Sequence, residues 1–351
     1  MNSGKYNAMN KEQLYKQQNQ CKVIAEIGTN HNGCWDTALK MLDQISLANA
    51  DAAKFQYYRA DKLYPESTRA ADYLIGTGGI EKGTRIVDLL KKAEIPEEWL
   101  DELVIQCESR NIDLIISVFD VESVDVLVRH GIRQLKVASS EITHYPLLSA
   151  VGKTGLPVIL STGMSNLGMI ESALKKIGHD NVVLLHCTAA YPVPDKEVNL
   201  HVIQTLQSVF GLPVGFSDHT EDTLAADIAF ALGAVMVEKH FTLDKNQPGP
   251  DHAFSVTPQE LSELTDAVRR TGQMLGGGRK IITEKESETM GYTPGLFASC
   301  DIAEGSDIKA NNIEVRRRNK EGLGTEFLDI VKERKARVLI PKGAPITWDK
   351  I

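Results

Sequence analysis

The sequence has no apolar run close to the ~20 residues that cross a bilayer, and its first residues lack the basic-then-apolar order of a secretory signal. Both absences lead to the expectation of a soluble, cytoplasmic protein with no membrane partner. Basic charge is also in short supply: 39 Lys and Arg against 47 Asp and Glu leave a net charge of −8, which disfavours nonspecific attraction to nucleic acid or anionic lipid. Small molecules are therefore the expected partners. Cysteine is scarce and unpatterned. Cys21, Cys34, Cys107, Cys187 and Cys300 make an odd count without CxxC spacing, so neither a disulfide framework nor a thiolate zinc site is expected.

A chain of 351 residues corresponds to about two domains at roughly 150 residues each, one of which can reach ~250 if it is a barrel. Residues 1–20 carry Asn, Gln, Lys and Tyr without apolar periodicity and read as a mobile polar extension. From Lys22 to Glu238, short apolar runs alternate with amphipathic stretches, as in parallel strands joined by crossover helices. The runs are Val23 to Ile27, Ala52 to Phe55, Leu114 to Val118, Gln134 to Ala138, Pro157 to Ser161, Val182 to His186, Pro213 to Phe216 and Ala234 to Glu238. Eight β-α units in ~240 residues match an α/β fold of the closed (β/α)8 TIM barrel type, with a doubly wound open sheet as the alternative. Trp35, Ala38, Leu39, Leu42 and Ile45 recur at helical spacing. Thr257, Pro258 and Glu260 form a capping box opening a helix that Gly276, Gly277 and Gly278 end. The barrel is thus expected over residues 21–278 and a linker over 279–290. A small β-rich domain follows over 291–351, with β runs at Leu296 to Ile302, Ile313 to Arg316 and Ala336 to Ile340. Its roughly 60 residues are few to bury a robust core alone, so docking to the barrel or to a second subunit is expected.

In such a barrel, chemistry gathers at the C-terminal ends of the strands. Read there, the sequence offers Glu26, Lys54, Ser117, Lys136 with Ser139, Ser161 with Thr162, His186, Ser217 with His219, and Glu238 with His240. Two lysines and a series of hydroxyls suit a small molecule bearing a phosphate and a carboxylate. The bland alternative has the lysines bridging loop carboxylates. His219 in SDHT and His240 in EKHFT follow consecutive strands and could share one Mn, Fe, Co or Zn ion, leaving positions for water and substrate oxygens. Two histidines bonded to loop carbonyls are the alternative. His31 and Asn32 in AEIGTNHNG read either as mouth residues or as a turn. His186 reads as a core histidine, and Asp251 and His252 in the Pro/Gly-rich PGPDHAFS loop read as substrate contacts.

Taken together, AEIGTNHNG, AAKFQYY, LKVASSEI, LSTGMSN, LLHCTAAYP, VGFSDHT, VEKHFTLDK and PGPDHAFS resemble, in order and spacing from about Lys22 to Gly278, the sialic acid (N-acetylneuraminate) synthase family. That family includes legionaminic and pseudaminic acid synthases and spore-coat polysaccharide relatives. The resemblance implies a barrel followed by a small antifreeze-like (SAF) domain, in a domain-swapped homodimer whose tail domains cap the partner's barrel mouth. It implies condensation of phosphoenolpyruvate with the open-chain aldehyde of an N-acylated, mannosamine-type amino sugar, giving a nine-carbon 2-keto acid and phosphate. Lys54, Ser117, Lys136, Ser139, Ser161 and Ser217 would then hold phosphoenolpyruvate. His219 and His240 would hold a divalent metal, usually Mn²⁺, with Mg²⁺ or Co²⁺ as alternatives. Tyr191 and Asp251 would serve the sugar side and, with Glu26, the catalysis.

The chain departs from the family pattern in four places. Ala189 in CTAAYP stands where the sialic acid branch often has Asn. The stretch AADYLIGTGGIEKG, residues 70–83, contains none of the Asn that this branch directs at the sugar's acyl group. In the tail, the family's mouth-entering arginine has Arg317 of VRRRNKEG as its nearest match, with Arg316 and Arg318 as substitutes or the three as a plain basic cluster. Glu333 of KERKA replaces the tail's usual glycine. Two other readings stay open: a phosphoenolpyruvate-aldose synthase making eight- or seven-carbon keto acids, and a noncatalytic carbohydrate-binding barrel.

Overall fold

The computed structural model describes residues 20–69 and 84–351. The polar extension, apart from residue 20, and the AADYLIGTGGIEKG stretch lie outside the described residues. The chain divides into two compact units, Met1–Gly277 and Gly278–Ile351. Among the described residues no helix is long and apolar enough to cross a membrane.

In the first unit eight parallel strands close into a barrel in sequence order: β1 (Lys22–Gly28), β2 (Ala52–Tyr57), β3 (Asp113–Val118), β4 (Leu135–Val137), β5 (Val158–Ser161), β6 (Val182–Cys187), β7 (Val214–Asp218) and β8 (Met236–His240). Each is followed by a crossover helix, among them Trp35–Leu47 after β1, Leu224–Ala231 after β7 and Pro258–Leu275 after β8. The first buries Ala38, Met41, Leu42 and Ile45 on one face, at the spacing that places them in a single stripe. The last opens on the expected capping box: the Glu260 carboxylate accepts from the Thr257 N–H at 2.7 Å, and Thr257 Oγ1 accepts from the Glu260 N–H at 3.4 Å.

Alternation along the strands sets where chemistry can occur. Side chains two apart point to the same side of a strand. Ile24, Ala52, Ile115, Ile159, Val183, Leu185 and Met236 form one apolar layer inside the barrel. Two residues further along the same strands stand Glu26, Lys54, Ser117, Ser161, Cys187 and Glu238, so a polar layer lies directly above the apolar floor. Gly215 is needed in that floor, because a Cβ there would meet Met236 and Leu185 at 2.5 and 2.6 Å.

β1 and β2 run further than their apolar runs suggest. Glu26, Lys54 and Ser117 are not terminal: β1 continues to Gly28, β2 to Tyr57 and β3 to Val118. A charged residue inside an apolar run reads as a rim, but here the barrel interior accepts it and the ladder continues past it. His186 has the opposite parity and points outward. Its Nε2 bonds the Val198 carbonyl at 2.7 Å and its ring stacks on Phe216, as a core histidine does.

The second unit pairs β9 (Pro294–Ala298) and β10 (Ile313–Arg317) antiparallel, with Val315 opposite Leu296. Its core contains Leu296, Ala298, Ile302, Ile308, Val331, Ile340 and Ile346. The expected strand from Ala336 to Ile340 does not form. Ile340 exchanges both backbone bonds with Ile302 at 2.9 Å, but Arg337 N–H turns to the Lys350 carbonyl, so the backbone is shared among short segments instead of one ladder. For the same reason β9 stops at Ala298 instead of reaching Ile302. Residues read as linker include a capped helix, Glu284–Thr289.

Candidate active site

The register of the closed sheet brings the charged layer together. Glu26 pairs in register with Lys54 on one side and His240 on the other, while Ser217 pairs with Glu238. Lys54 Nζ lies 3.1 Å from Glu26 Oε1 and 3.3 Å from Glu238 Oε1, and donates to Ser117 Oγ at 3.3 Å. Lys136 Nζ donates to Glu238 Oε1 at 2.5 Å. Ser217 Oγ donates to the same oxygen at 3.2 Å, and Gln56 Nε2 donates to Glu26 Oε1 at 2.6 Å. Two ammonium groups and two carboxylates thus share one buried cluster. The lysines do bridge carboxylates, as the bland reading holds, but these carboxylates belong to barrel strands and not to loops.

Glu26 Oε2 and Glu238 Oε2 are buried without a hydrogen-bond partner among the described residues. Unpartnered buried oxygens are costly, so the cluster is not closed on itself. Its titration behaviour agrees. Burial would raise the Glu238 carboxyl, but Lys136 and Lys54 together hold it well below the usual carboxylate range. Burial pushes the Glu26 carboxyl up against the pull of Lys54, and it pulls Lys136 down against the pull of Glu238. Four coupled groups in a low-dielectric site oppose carrying four charges, and burial shifts Glu26 and Lys136 toward their neutral forms.

The imidazoles lie beside this cluster. His219 Nδ1 is 2.9 Å from the Thr188 carbonyl. A carbonyl can only accept, so Nδ1 holds the proton and Nε2 keeps its lone pair. Nε2 lies 3.4 Å from Ser217 Oγ. The ring centroids of His219 and His240 are 5.6 Å apart. Burial lowers the pKa of His219 to about 4 and that of His240 well below the ordinary value, so both are neutral, as metal ligation requires. His240 Nδ1 is buried without a hydrogen-bond partner among the described residues, 4.0 Å from Asp251 Oδ2. One histidine therefore does bond a loop carbonyl, and that bond leaves its other nitrogen free to ligate. Among the described residues no group of three or more His, Cys, Asp or Glu gathers to hold a metal. The donor set fits a cation that takes two imidazoles and completes its shell with water and substrate oxygens.

Tyr191 packs on His219 with ring centroids 4.1 Å apart and planes tilted by 36°, and Phe254 lies 5.1 Å from both Tyr191 and His240. Tyr191 is 40% exposed; partial desolvation and the nearby Cys187 and Asp251 raise its phenol above the ordinary value, so it remains a hydrogen-bond donor. Asp251 Oδ2 accepts from Thr29 Oγ1 at 3.0 Å, and burial raises the Asp251 carboxyl despite that bond. Gly28 fits between the acids: its φ is +55°, and a Cβ there would stand 3.2 Å from both Asp251 Oδ2 and Glu26 Oε1.

The remaining sequence candidates divide. Ser161 is inward on β5 with its Oγ buried and unpartnered among the described residues. Ser139 Oγ accepts from the Gly163 N–H at 2.9 Å. The Cys187 thiol, raised by burial, lies 3.9 Å from His219 Nδ1. His31 is not a mouth residue. Its Nδ1 accepts from the Gly33 N–H, and its ring packs on Trp99 and Phe55 outside the barrel wall. Asn32 and His252 bond each other at 3.2 Å, and Thr242 Oγ1 lies 2.7 Å from His252 Nδ1, so His252 anchors its own loop instead of facing substrate. In the second unit Arg316 pairs with Glu314 and Arg318 bonds Thr293 and the Gly322 carbonyl, while Arg317 is exposed.

Sequence reasoning left Glu238 and Gln56 without a role, yet the first is the hub of the quartet and the second holds Glu26. Both were detectable by parity: Glu238 lies two residues before His240, and Gln56 two after Lys54.

Comparison with known proteins adds an independent line. The NeuB family profile matches residues 41–280 and the SAF domain profile matches residues 293–351. The chain is 38% identical over 301 residues to N,N'-diacetyllegionaminic acid synthase of Campylobacter jejuni, covering 84% of this chain and 90% of that protein. It is 35% identical over 351 residues to spore coat polysaccharide biosynthesis protein SpsE of Bacillus subtilis, covering 94% and 93%. The solved N-acetylneuraminic acid synthetase of Leptospira borgpetersenii aligns with TM-score 0.70 and 33% identity, over 78% of this chain and 92% of that one.

Proposed function

The chain belongs to the NeuB family, and from that premise we propose that it condenses phosphoenolpyruvate with the open-chain aldehyde of an N-acylated, mannosamine-type hexose. The products are a nine-carbon 2-keto acid and inorganic phosphate. The observation that carries this reading is the buried quartet of Lys54, Lys136, Glu26 and Glu238 set beside two neutral imidazoles. An anion entering the barrel would take the ammonium groups now shared with Glu238, and the hydroxyls of Ser117, Ser139, Ser161 and Ser217 would supply short donors around it.

A divalent cation held by His219 and His240, Mn²⁺ before Mg²⁺ or Co²⁺, would supply Lewis acidity toward an aldehyde oxygen. The chain's own residues do the rest. Tyr191, as a protonated phenol, and Asp251, fixed by Thr29, orient the sugar beside the imidazoles. The enol π electrons of phosphoenolpyruvate form the new bond from its methylene carbon to the aldehyde carbon, the carbonyl π pair moves onto the aldehyde oxygen, and positive charge is left on the enol carbon. Glu26, held by Gln56 and Lys54, faces that charge and takes a proton from the water that adds there. The adduct then breaks the bond between that carbon and the phosphate oxygen: phosphate leaves with the electron pair against Lys54 and Lys136, taking the proton of the new hydroxyl as it becomes the keto group, and the proton on Glu26 passes to the former aldehyde oxygen.

The same reading places the protein in the cytoplasm as a domain-swapped homodimer. Arg317, exposed on β10, is then the tail residue offered to a partner's mouth. The experiment is incubation with phosphoenolpyruvate, Mn²⁺ and a panel of 2-acetamido and 2,4-diacetamido hexoses, following phosphate release and product mass. Phosphate released in step with a nine-carbon keto acid supports the reading. With a pentose phosphate and a tetrose phosphate added to the panel, release only with these, or no release with any sugar, overturns it.

A further inference from the structure

Next to the quartet, but facing the other side of the wall, lies a second buried charge that the proposed chemistry does not use. Lys239 on β8 is 1% exposed and pairs in register with Asp218 on β7, which is also 1% exposed. Its Nζ donates to Asp218 Oδ2 at 3.0 Å, to the Thr220 carbonyl at 2.6 Å and to the Asp222 carbonyl at 2.6 Å, with Thr220 Oγ1 at 3.4 Å. An ammonium has three N–H donors, and three close oxygens from one short loop meet them. Asp218 Oδ1 in turn accepts from the Thr220 N–H at 2.9 Å and from Thr220 Oγ1 at 2.8 Å. Residues 218–222 are therefore wound around the ammonium as a loop is wound around a bound cation.

Two facts make this arrangement more than a core ion pair. Inside the loop, between Asp218 and Thr220, stands His219, whose carbonyl accepts from the Val193 N–H at 2.9 Å and whose ring bonds Thr188. Next to Lys239 in β8 stands His240. One side chain thus ties the backbone bearing the first imidazole to the strand bearing the second. Parity directs Lys239 away from the barrel interior, so it does this without entering the substrate's space.

We infer that Lys239 is a positioning residue, whose ammonium folds the 218–222 loop so that the imidazoles of His219 and His240 are presented together. This rests on the reading above, in which those imidazoles serve a divalent ion. Groups that orient metal ligands from behind typically cost ~10–100-fold in metal affinity when removed. Free Mn²⁺ is measured by electron paramagnetic resonance during titration of the full-length protein, Lys239→Met and Asp218→Asn. Phosphoenolpyruvate affinity is measured by calorimetry without metal, and fold by circular dichroism. The expected result is a folded K239M with Mn²⁺ affinity reduced ~10–100-fold and phosphoenolpyruvate affinity unchanged, because the quartet is untouched. A folded K239M with wild-type Mn²⁺ affinity overturns the inference. Should K239M not fold, D218N decides by the same criteria, since it removes one charge and keeps the shape. Should the wild type take up no Mn²⁺, the metal reading itself fails. The His219 ring nitrogen signals of ¹⁵N-histidine-labelled wild type and K239M then decide: a changed tautomer pattern supports positioning by Lys239, and identical signals overturn it.

Discussion

Replacing Glu238 with Gln removes the carboxylate that both lysines share and leaves the barrel otherwise intact. Lys54 keeps Glu26 at 3.1 Å, but Lys136 loses the carboxylate it bonds at 2.5 Å while remaining buried. Removing one partner from a buried ion pair typically costs ~3–5 kcal/mol, chiefly because the other charge is stranded. The retained Lys54–Glu26 contact places E238Q near the lower end, about 3 kcal/mol, or about 6–12 °C in melting temperature for a domain of this size. The stranded ammonium also attracts anions. A ligand at 100 times its dissociation constant adds ~2.7 kcal/mol, so inorganic phosphate should narrow the melting gap between E238Q and wild type. Differential scanning calorimetry with and without phosphate reads both effects. Lys136→Met in the E238Q background should recover much of the loss, because it removes the stranded charge. An E238Q protein that melts with the wild type and ignores phosphate would refute the reasoning that Glu238 holds the lysines in place of an anionic ligand.

Three further outcomes are expected. Glu26→Ala should lower kcat ~10²–10⁴-fold, the usual contribution of a general acid or base, with phosphoenolpyruvate affinity nearly retained; steady-state kinetics and calorimetry check the split. Burial holds His31 and His219 at about 4 against 6.5 for a free imidazole, so the unfolded chain binds more protons between those values. Stability is then fully present above pH 6.5 and is lost as pH falls through about 4, by about 3 kcal/mol for each ring at the acid end. Urea midpoints across that range measure it, and a flat profile would contradict the depressed values. Gly28→Ala should lose ~1–2 kcal/mol from the left-handed backbone conformation and reduce turnover as the Glu26 and Asp251 carboxylates give way. Urea denaturation and steady-state assays test the two halves.

The barrel was legible because its evidence is repetitive: eight apolar runs, each followed by an amphipathic stretch, admit few closures. Lys54, Lys136, His219 and His240 stood out because charged or imidazole side chains within or just after apolar strands have few structural uses. Glu238 escaped a role because its meaning is relational. Only the register that sets Glu26 beside Lys54 and Ser217 beside Glu238 shows which carboxylate meets which ammonium, and register is not written in any single strand. The substrate-contact reading of His252 failed in the opposite direction, and of the two readings of His31 the turn is the one that holds. Each lies in a motif-rich loop, yet one is committed to Thr242 and Asn32 and the other to Gly33 and a packed aromatic face. Composition cannot distinguish a histidine that holds a loop from one that faces a ligand. The Ala336 to Ile340 run misled because apolar alternation was present without one continuous neighbour to pair with.

The claim on which the proposed chemistry rests is that the buried lysines of the barrel receive the enolpyruvyl anion. Calorimetric titration of phosphoenolpyruvate into the metal-free wild type, Lys54→Met and Lys136→Met tests it most directly. A hydrogen bond to a charged group is worth ~1.5–3 kcal/mol, so each variant should bind about tenfold or more weakly than the wild type while remaining folded. Unchanged affinity in both folded variants would place the anion elsewhere and contradict the assignment.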